Sequence, residues 1–166
     1  MESSTEQSEH PAVTRVKEAL AAGGAARASI EGLRILPGAV TTAVAAAEAV
    51  GVQVGQIANS LVFDAGGEPL LVLTSGAHRV DTGKVAALIG VPALERASKE
   101  LVRAATGQVI GGVAPVGHPA PLRTLVDRDL AGYDVVWAAG GIARSVFPTT
   151  FDELVAVTGG TPADVA

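Results

Sequence analysis

Residues 60–74, SLVFDAGGEPLLVLT, read as two β-strands folded back on each other. Ser60 to Phe63 and Pro69 to Thr74 carry the β-branched and aliphatic residues of buried strands, and Ala65-Gly66-Gly67 between them is a short glycine-containing hairpin loop. Working outward, Ile30 to Leu36 reads as another strand. Thr41 or Thr42 can cap a helix over AVAAAEAV, with Gly51 at its end. Further upstream, Pro11 suits the first turn of a helix carrying Val13, Val16 and Leu20 at near-helical spacing, closed by Gly23 and Gly24. Downstream, Asp81 caps a helix over Thr82 to Ile89 that stops at Gly90, and Ser98 caps one over Lys99 to Ala105. Leu122 to Val126, Asp134 to Ala138 and Ser145 to Phe147 have strand character, and Thr150 with Glu153 forms a capping box for a last helix ending at Gly159 and Gly160. Strands and helices alternate irregularly, which predicts an α/β fold of the α+β kind with a mixed sheet.

Composition bounds the function. A chain of 166 residues with 48% hydrophobic residues fits one domain, taken as residues 10–166, and the polar stretch 1–9 reads as a disordered tail. The net charge of -5 argues against a broad cationic coat for nucleic acid, so an RNA contact is expected to be local and a DNA partner is not expected. There is no cysteine, which removes thiol chemistry and thiolate metal sites. No apolar run is long enough to span a bilayer, and the expected location is the cytoplasm.

Familiar catalytic motifs fail on inspection. Lys84 in TGKVA lacks the upstream glycine and the following Ser or Thr of a phosphate loop, and AAGGIARS around Gly140 is not a dinucleotide fingerprint. Ser75, His78 and Asp81 are too close along the chain to align as a hydrolytic triad, and Asp81 is better read as a cap. The three histidines, His10, His78 and His118, are scattered without a ligand motif, so no metal and no cofactor is expected. What remains is residues 106–119, TGQVIGGVAPVGHP, where glycines permit positive φ and close approach while Pro115 and Pro119 stiffen the segment. Such a rim offers peptide groups to a ligand, with His118 as a neighbouring donor or acceptor.

Taken in order and spacing, IANSLVF, LVLTSGAHRVD, TGQVIGGVAPVG and VVWAAGG resemble the YbaK and prolyl-tRNA-synthetase-associated editing domain family, over about Leu36 to Gly160. The strongest element is G-x-x-x-P, here Gly111 to Pro115. The resemblance implies a curved or barrel-like mixed sheet surrounded by helices, and metal-free hydrolysis of mischarged aminoacyl-tRNA in which the substrate's ribose hydroxyl assists. It assigns Asn59 and Gly111 to the reaction and Ser60, Gly112, Val113, Pro115, His118, Ala138, Gly140 and Ser145 to substrate binding. Arg79, Lys84 and Arg144, with Lys99 and Arg103, become candidates for tRNA contact. The partner implied is the acceptor end of aminoacyl-tRNA, with an aminoacyl-tRNA synthetase beside it and no membrane. Two departures stand out: Asn59 occupies the place where the family often carries lysine, and Ala138 and Ser145 replace more polar or acidic residues. Two functions follow, a trans-acting deacylase of changed specificity or a module that binds an aminoacyl end without cleaving it.

Overall fold

The computed structural model describes residues 10–166, and the proposed tail lies outside the described residues. Helices α1 (Pro11–Ala22) and α2 (Arg27–Glu31) lead into a two-residue strand β1 (Arg34–Ile35) and helix α3 (Ala43–Val50). The long hairpin follows as β2 (Ile57–Ala65) and β3 (Glu68–Ser75), then α4 (Thr82–Ile89), the short β4 (Glu95–Arg96) and α5 (Lys99–Thr106). After the glycine-rich segment come β5 (Arg123–Asp127), β6 (Val136–Ala139), β7 (Ser145–Thr149), α6 (Phe151–Thr158) and β8 (Thr161–Ala163).

Local chemistry explains most of these boundaries. Gly66 and Gly67 take φ of 67° and 95°, the two positive values a two-residue type I′ hairpin turn needs. Asp64 Oδ1 accepts the Gly67 N–H at 2.7 Å and locks that turn. Thr42, Asp81, Ser98 and Thr150 each accept a backbone N–H three residues on, and α3 to α6 all end at a left-handed glycine.

Three sequence expectations need correction. The strand expected over Ile30 to Leu36 shrinks to Arg34 and Ile35 in β1, because Ile30 and Glu31 form the end of helix α2 and Gly32 and Leu33 the turn that follows. The cause is remote: the Glu153 carboxylate accepts the Ala26 N–H at 2.8 Å and the Ser29 hydroxyl at 2.5 Å, seeding a helix turn. For the same reason the capping box on α6 is half made, since the Glu153 side chain reaches Ala26, Ser29 and Thr149 instead of turning back to Thr150. Finally, β4 and β8 were not expected.

The sheet is mixed and open, in the order β1-β7-β6-β2-β3-β5-β8, with β4 also paired to β2. On one face Ala58, Val62, Leu71, Leu73 and Val126 pack on α1 through Val16 and Leu20 and on Val113, Ala114 and Val116 of the glycine-rich loop. On the other, Phe63, Leu70 and Val72 lie under Val85 and Ala86 of α4, while Ile57 and Trp137 lie under Ala46 and Ala47 of α3. Burial of this kind stabilises by about 25 cal/mol per Å² of apolar surface.

One edge of β2 is interrupted. It pairs parallel with β6 at Ile57 and Ala58, and antiparallel with β4 at Phe63 and Asp64. Between these contacts, residues 59–61 have no partner on that side among the described residues. Antiparallel ladders alternate the direction of their peptide groups. Because the Ile57 carbonyl accepts from Gly76 and the Val62 carbonyl from Ala97, the alternation turns the Ser60 N–H and C=O toward the gap.

Candidate functional site

A cavity of about 370 Å³ opens at this gap. Its walls are β2, the tail of β6, the start of β7, the β4–α5 segment, the loop before α3 and the Ile110 to Val113 turn. Of the residues singled out from the sequence, Asn59, Ser60, Gly111, Val113, Ala138 and Ser145 all line it. Gly112, Pro115, His118, Gly140, Arg79, Lys84 and Arg144 do not.

Each lining residue is held for a local reason. Gly112 N–H donates to the Val109 carbonyl at 3.0 Å, with Gly111 at φ 94°, the positive value that the third position of a type II turn requires. The Gly111 N–H has no hydrogen-bond partner among the described residues. Ser60 Oγ is buried without a partner, and an unsatisfied buried hydroxyl costs about 1–3 kcal/mol. Asn59 is half-buried, and its carboxamide also lacks a protein partner among the described residues. Ser145, fully buried, closes the β6–β7 turn instead: its Oγ donates to the Ile142 carbonyl at 2.8 Å and accepts the Ile142 N–H.

Some of the excluded residues brace the walls from behind, and Arg79 and Lys84 lie apart from them. Gly112 packs so tightly on the β6–β7 turn that a Cβ there would sit 2.7 Å from Ile142 main-chain atoms. Gly140 is similarly crowded by Ser145, and Pro115 is buried. Arg144 Nε donates to the Leu36 carbonyl at 3.0 Å and its Nη2 to the Pro37 carbonyl at 3.2 Å, pinning the loop that carries Val40 and Thr41. Arg79 is exposed on the β3–α4 connection, and exposed Lys84 donates from Nζ to the Ala166 carbonyl at 2.9 Å.

His118 Nε2 donates to the Ala114 carbonyl at 2.8 Å. Burial pulls its pKa below the ordinary 6.5, and the bond to Ala114, which favours the protonated ring, offsets only part of this. The unfolded chain therefore takes up this proton more readily. The contribution is complete above 6.5 and is lost as pH falls from 6.5 toward the lowered folded value. Urea midpoints measured between neutral and mildly acidic pH are expected to fall across that window, and His118→Gln is expected to flatten the slope. An unchanged slope in the variant would remove His118 as the source.

Two residues escaped the sequence reading. Gln108, buried inside the loop, accepts the Ala114 N–H at 2.8 Å and donates to the Val116 carbonyl at 3.3 Å, so its amide is the loop's internal brace. Arg96 of β4 is the one charged side chain among the cavity-lining residues. Neither is signalled by local sequence, because both act across the fold. Away from the cavity, His78 does not join Asp81, which caps α4. Its Nδ1 lies 2.8 Å from Asp127 and its Nε2 2.8 Å from Asp129, while Ser75 Oγ donates to the Gly55 carbonyl.

The arrangement is a small, mostly apolar chamber with peptide groups and neutral polar side chains on facing walls. Comparison with known proteins gives it a setting. The model of the aminoacyl-tRNA editing domain matches residues 37–157. A proline–tRNA ligase of Nitratidesulfovibrio vulgaris (strain DP4) is 36% identical over 91 residues, which are 55% of this chain but 16% of the ligase. The Bacillus subtilis (strain 168) protein YwhH, uncharacterized, is 32% identical over 110 residues, covering 66% of this chain and 69% of its own. A crystal structure described as a proposed trans-editing enzyme for prolyl tRNA synthetase superposes with a TM-score of 0.83 at 46% identity, covering 93% of this chain and 96% of that one. With its mixed open sheet and a family match across most of its length, the chain belongs to the aminoacyl-tRNA editing domain family.

Proposed function

We propose that the protein is a trans-acting aminoacyl-tRNA deacylase that hydrolyses the ester of mischarged tRNA. The observation that carries this reading is the gap in the sheet, where the Ser60 peptide and hydroxyl, the Asn59 carboxamide and the unpaired Gly111 N–H border one cavity. An ester carbonyl placed there meets donors that need no reorganisation as negative charge develops on its oxygen. The lining residues include no His, Asp, Glu, Cys or Lys, so the wall supplies positioning and charge stabilisation without a general base. A hydroxyl on the substrate's own ribose is the remaining group able to assist the attacking water.

The same lining selects the acyl group. Its apolar character and lack of a carboxylate favour a small uncharged side chain. Since one methylene is worth only about 1–3 kcal/mol in such a pocket, the chamber acts as a second sieve after a synthetase has erred. Its partners are then the tRNA acceptor end and a synthetase such as the prolyl enzyme, and its place is the cytoplasm. The missing base also favours a second reading, a module that binds the aminoacyl end without cleaving it.

Incubating the purified protein with a panel of aminoacyl-tRNAs is expected to release at least one amino acid faster than buffer alone. Gly111→Ala is expected to reduce that rate about tenfold or more, because φ of 94° is hostile to a side chain and the new methyl faces Thr41 at 3.4 Å. A panel with no release would leave the binding module.

A further inference from the structure

We infer that Arg96 holds the phosphodiester next to the esterified ribose, supplying from β4 the positive charge that β2 lacks in this cavity. The inference rests on the deacylase reading and adds to it the residue that anchors the RNA backbone.

Three observations carry it. Arg96 is the one charged group among the lining residues, whereas Asn59, Ser60 and Ser145 are neutral. It is exposed, and no ion pair or hydrogen bond engages its guanidinium among the described residues, unlike Arg27, Arg128 and Arg144. Finally, register places it correctly. Arg96 stands opposite Phe63, and residues directly opposite share a face of the sheet, so with side chains alternating along β2 it lies on the face of Leu61 and Asn59. Leu61 is about 7 Å along the strand from Phe63, within reach of an extended arginine. The guanidinium thus stands at the β4 end of the unpaired edge. A ribose whose ester enters beside Ser60 carries its 5′ phosphate on the same sugar, and a planar guanidinium recognises phosphate through paired N–H donors.

The test uses two non-hydrolysable probes, adenosine bearing an amide-linked amino acid at its 3′ position, with and without a 5′ phosphate. The amino acid is the one released fastest in the panel, or alanine if none is released. Wild-type protein is expected to bind the phosphorylated probe about tenfold more tightly. Arg96→Gln is expected to abolish that preference while leaving affinity for the unphosphorylated probe and the melting temperature unchanged, and Arg27→Ala, an equal change of charge elsewhere, is expected to keep it. For deacylated tRNA, the slope of log affinity against log salt is expected to shrink by about 0.7 in Arg96→Gln. Wild-type protein with no phosphate preference, or Arg96→Gln retaining it, would overturn the assignment. If that happened while the panel still showed release, Arg96 alone would be at fault. Phosphate-selective binding with no release would keep Arg96 and sink the hydrolase.

Discussion

Replacing Gly112 with alanine is expected to reduce deacylation about a hundredfold or more and to destabilise the fold by about 1–3 kcal/mol. The added methyl would stand 2.7 Å from the Ile142 Cα and carbonyl carbon and 2.8 Å from the Ala143 nitrogen. These are main-chain atoms, and no rotamer change relieves the clash. The glycine-rich loop and the β6–β7 turn must separate, and both lead into the cavity wall, which Gly111 and Val113 line from the loop and Ser145 and Val146 from the start of β7. Gly132→Ala is the matched control, since a methyl there meets nothing within 4 Å at an ordinary φ. Single-turnover rates and urea midpoints of both variants decide the matter. Wild-type turnover in Gly112→Ala would show that the loop and the turn do not need their present spacing.

A larger loss of stability, without the loss of chemistry, is expected from Asp127→Ala. This carboxylate is 2% exposed and accepts the Ser75 N–H at 2.9 Å, the Asp129 N–H at 3.0 Å and a bond from the Thr74 hydroxyl, while His78 Nδ1 stands 2.8 Å away. It ties the end of β3 to the end of β5. Removing it strands several donors in a buried place, for a cost of about 3–5 kcal/mol. The hub shares no residue with the cavity lining, so turnover by the folded fraction is expected to persist below the reduced melting temperature. Loss of less than about 1 kcal/mol would mean that Asp127 is dispensable to the β3–β5 junction.

Much of the scaffold is legible because it is local. A hydroxyl or carboxylate three residues before a helical N–H, a glycine after the last turn, and two glycines between aliphatic runs are settled by neighbours within one turn. The loop at Gly111 is legible for the same reason, as its positive φ demands that residue. Reading fails where partners are distant. Glu153 seeds α2 from more than a hundred positions away, which no propensity over Ile30 to Leu36 reports. Strands β4 and β8 are two and three residues long, and β8 contains Pro162, so they exist through pairing with β2 and β5. Arg96 became visible only when that pairing brought β4 to the cavity. The family resemblance supplied Asn59 and Ser60, but the reason they are reachable is the break in the ladder beside them.

That break has a bearing on solubility. A strand with unsatisfied main-chain groups ordinarily invites another polypeptide to zip alongside it. Here the open stretch is only about 10 Å long and is bracketed by β6 at one end and β4 at the other. A foreign strand approaching sideways meets both brackets before it can form a ladder. A slender molecular end, inserted tip first, does not. The gap can therefore leave main-chain groups open to a slender ligand while hindering the addition of a strand along that stretch of β2.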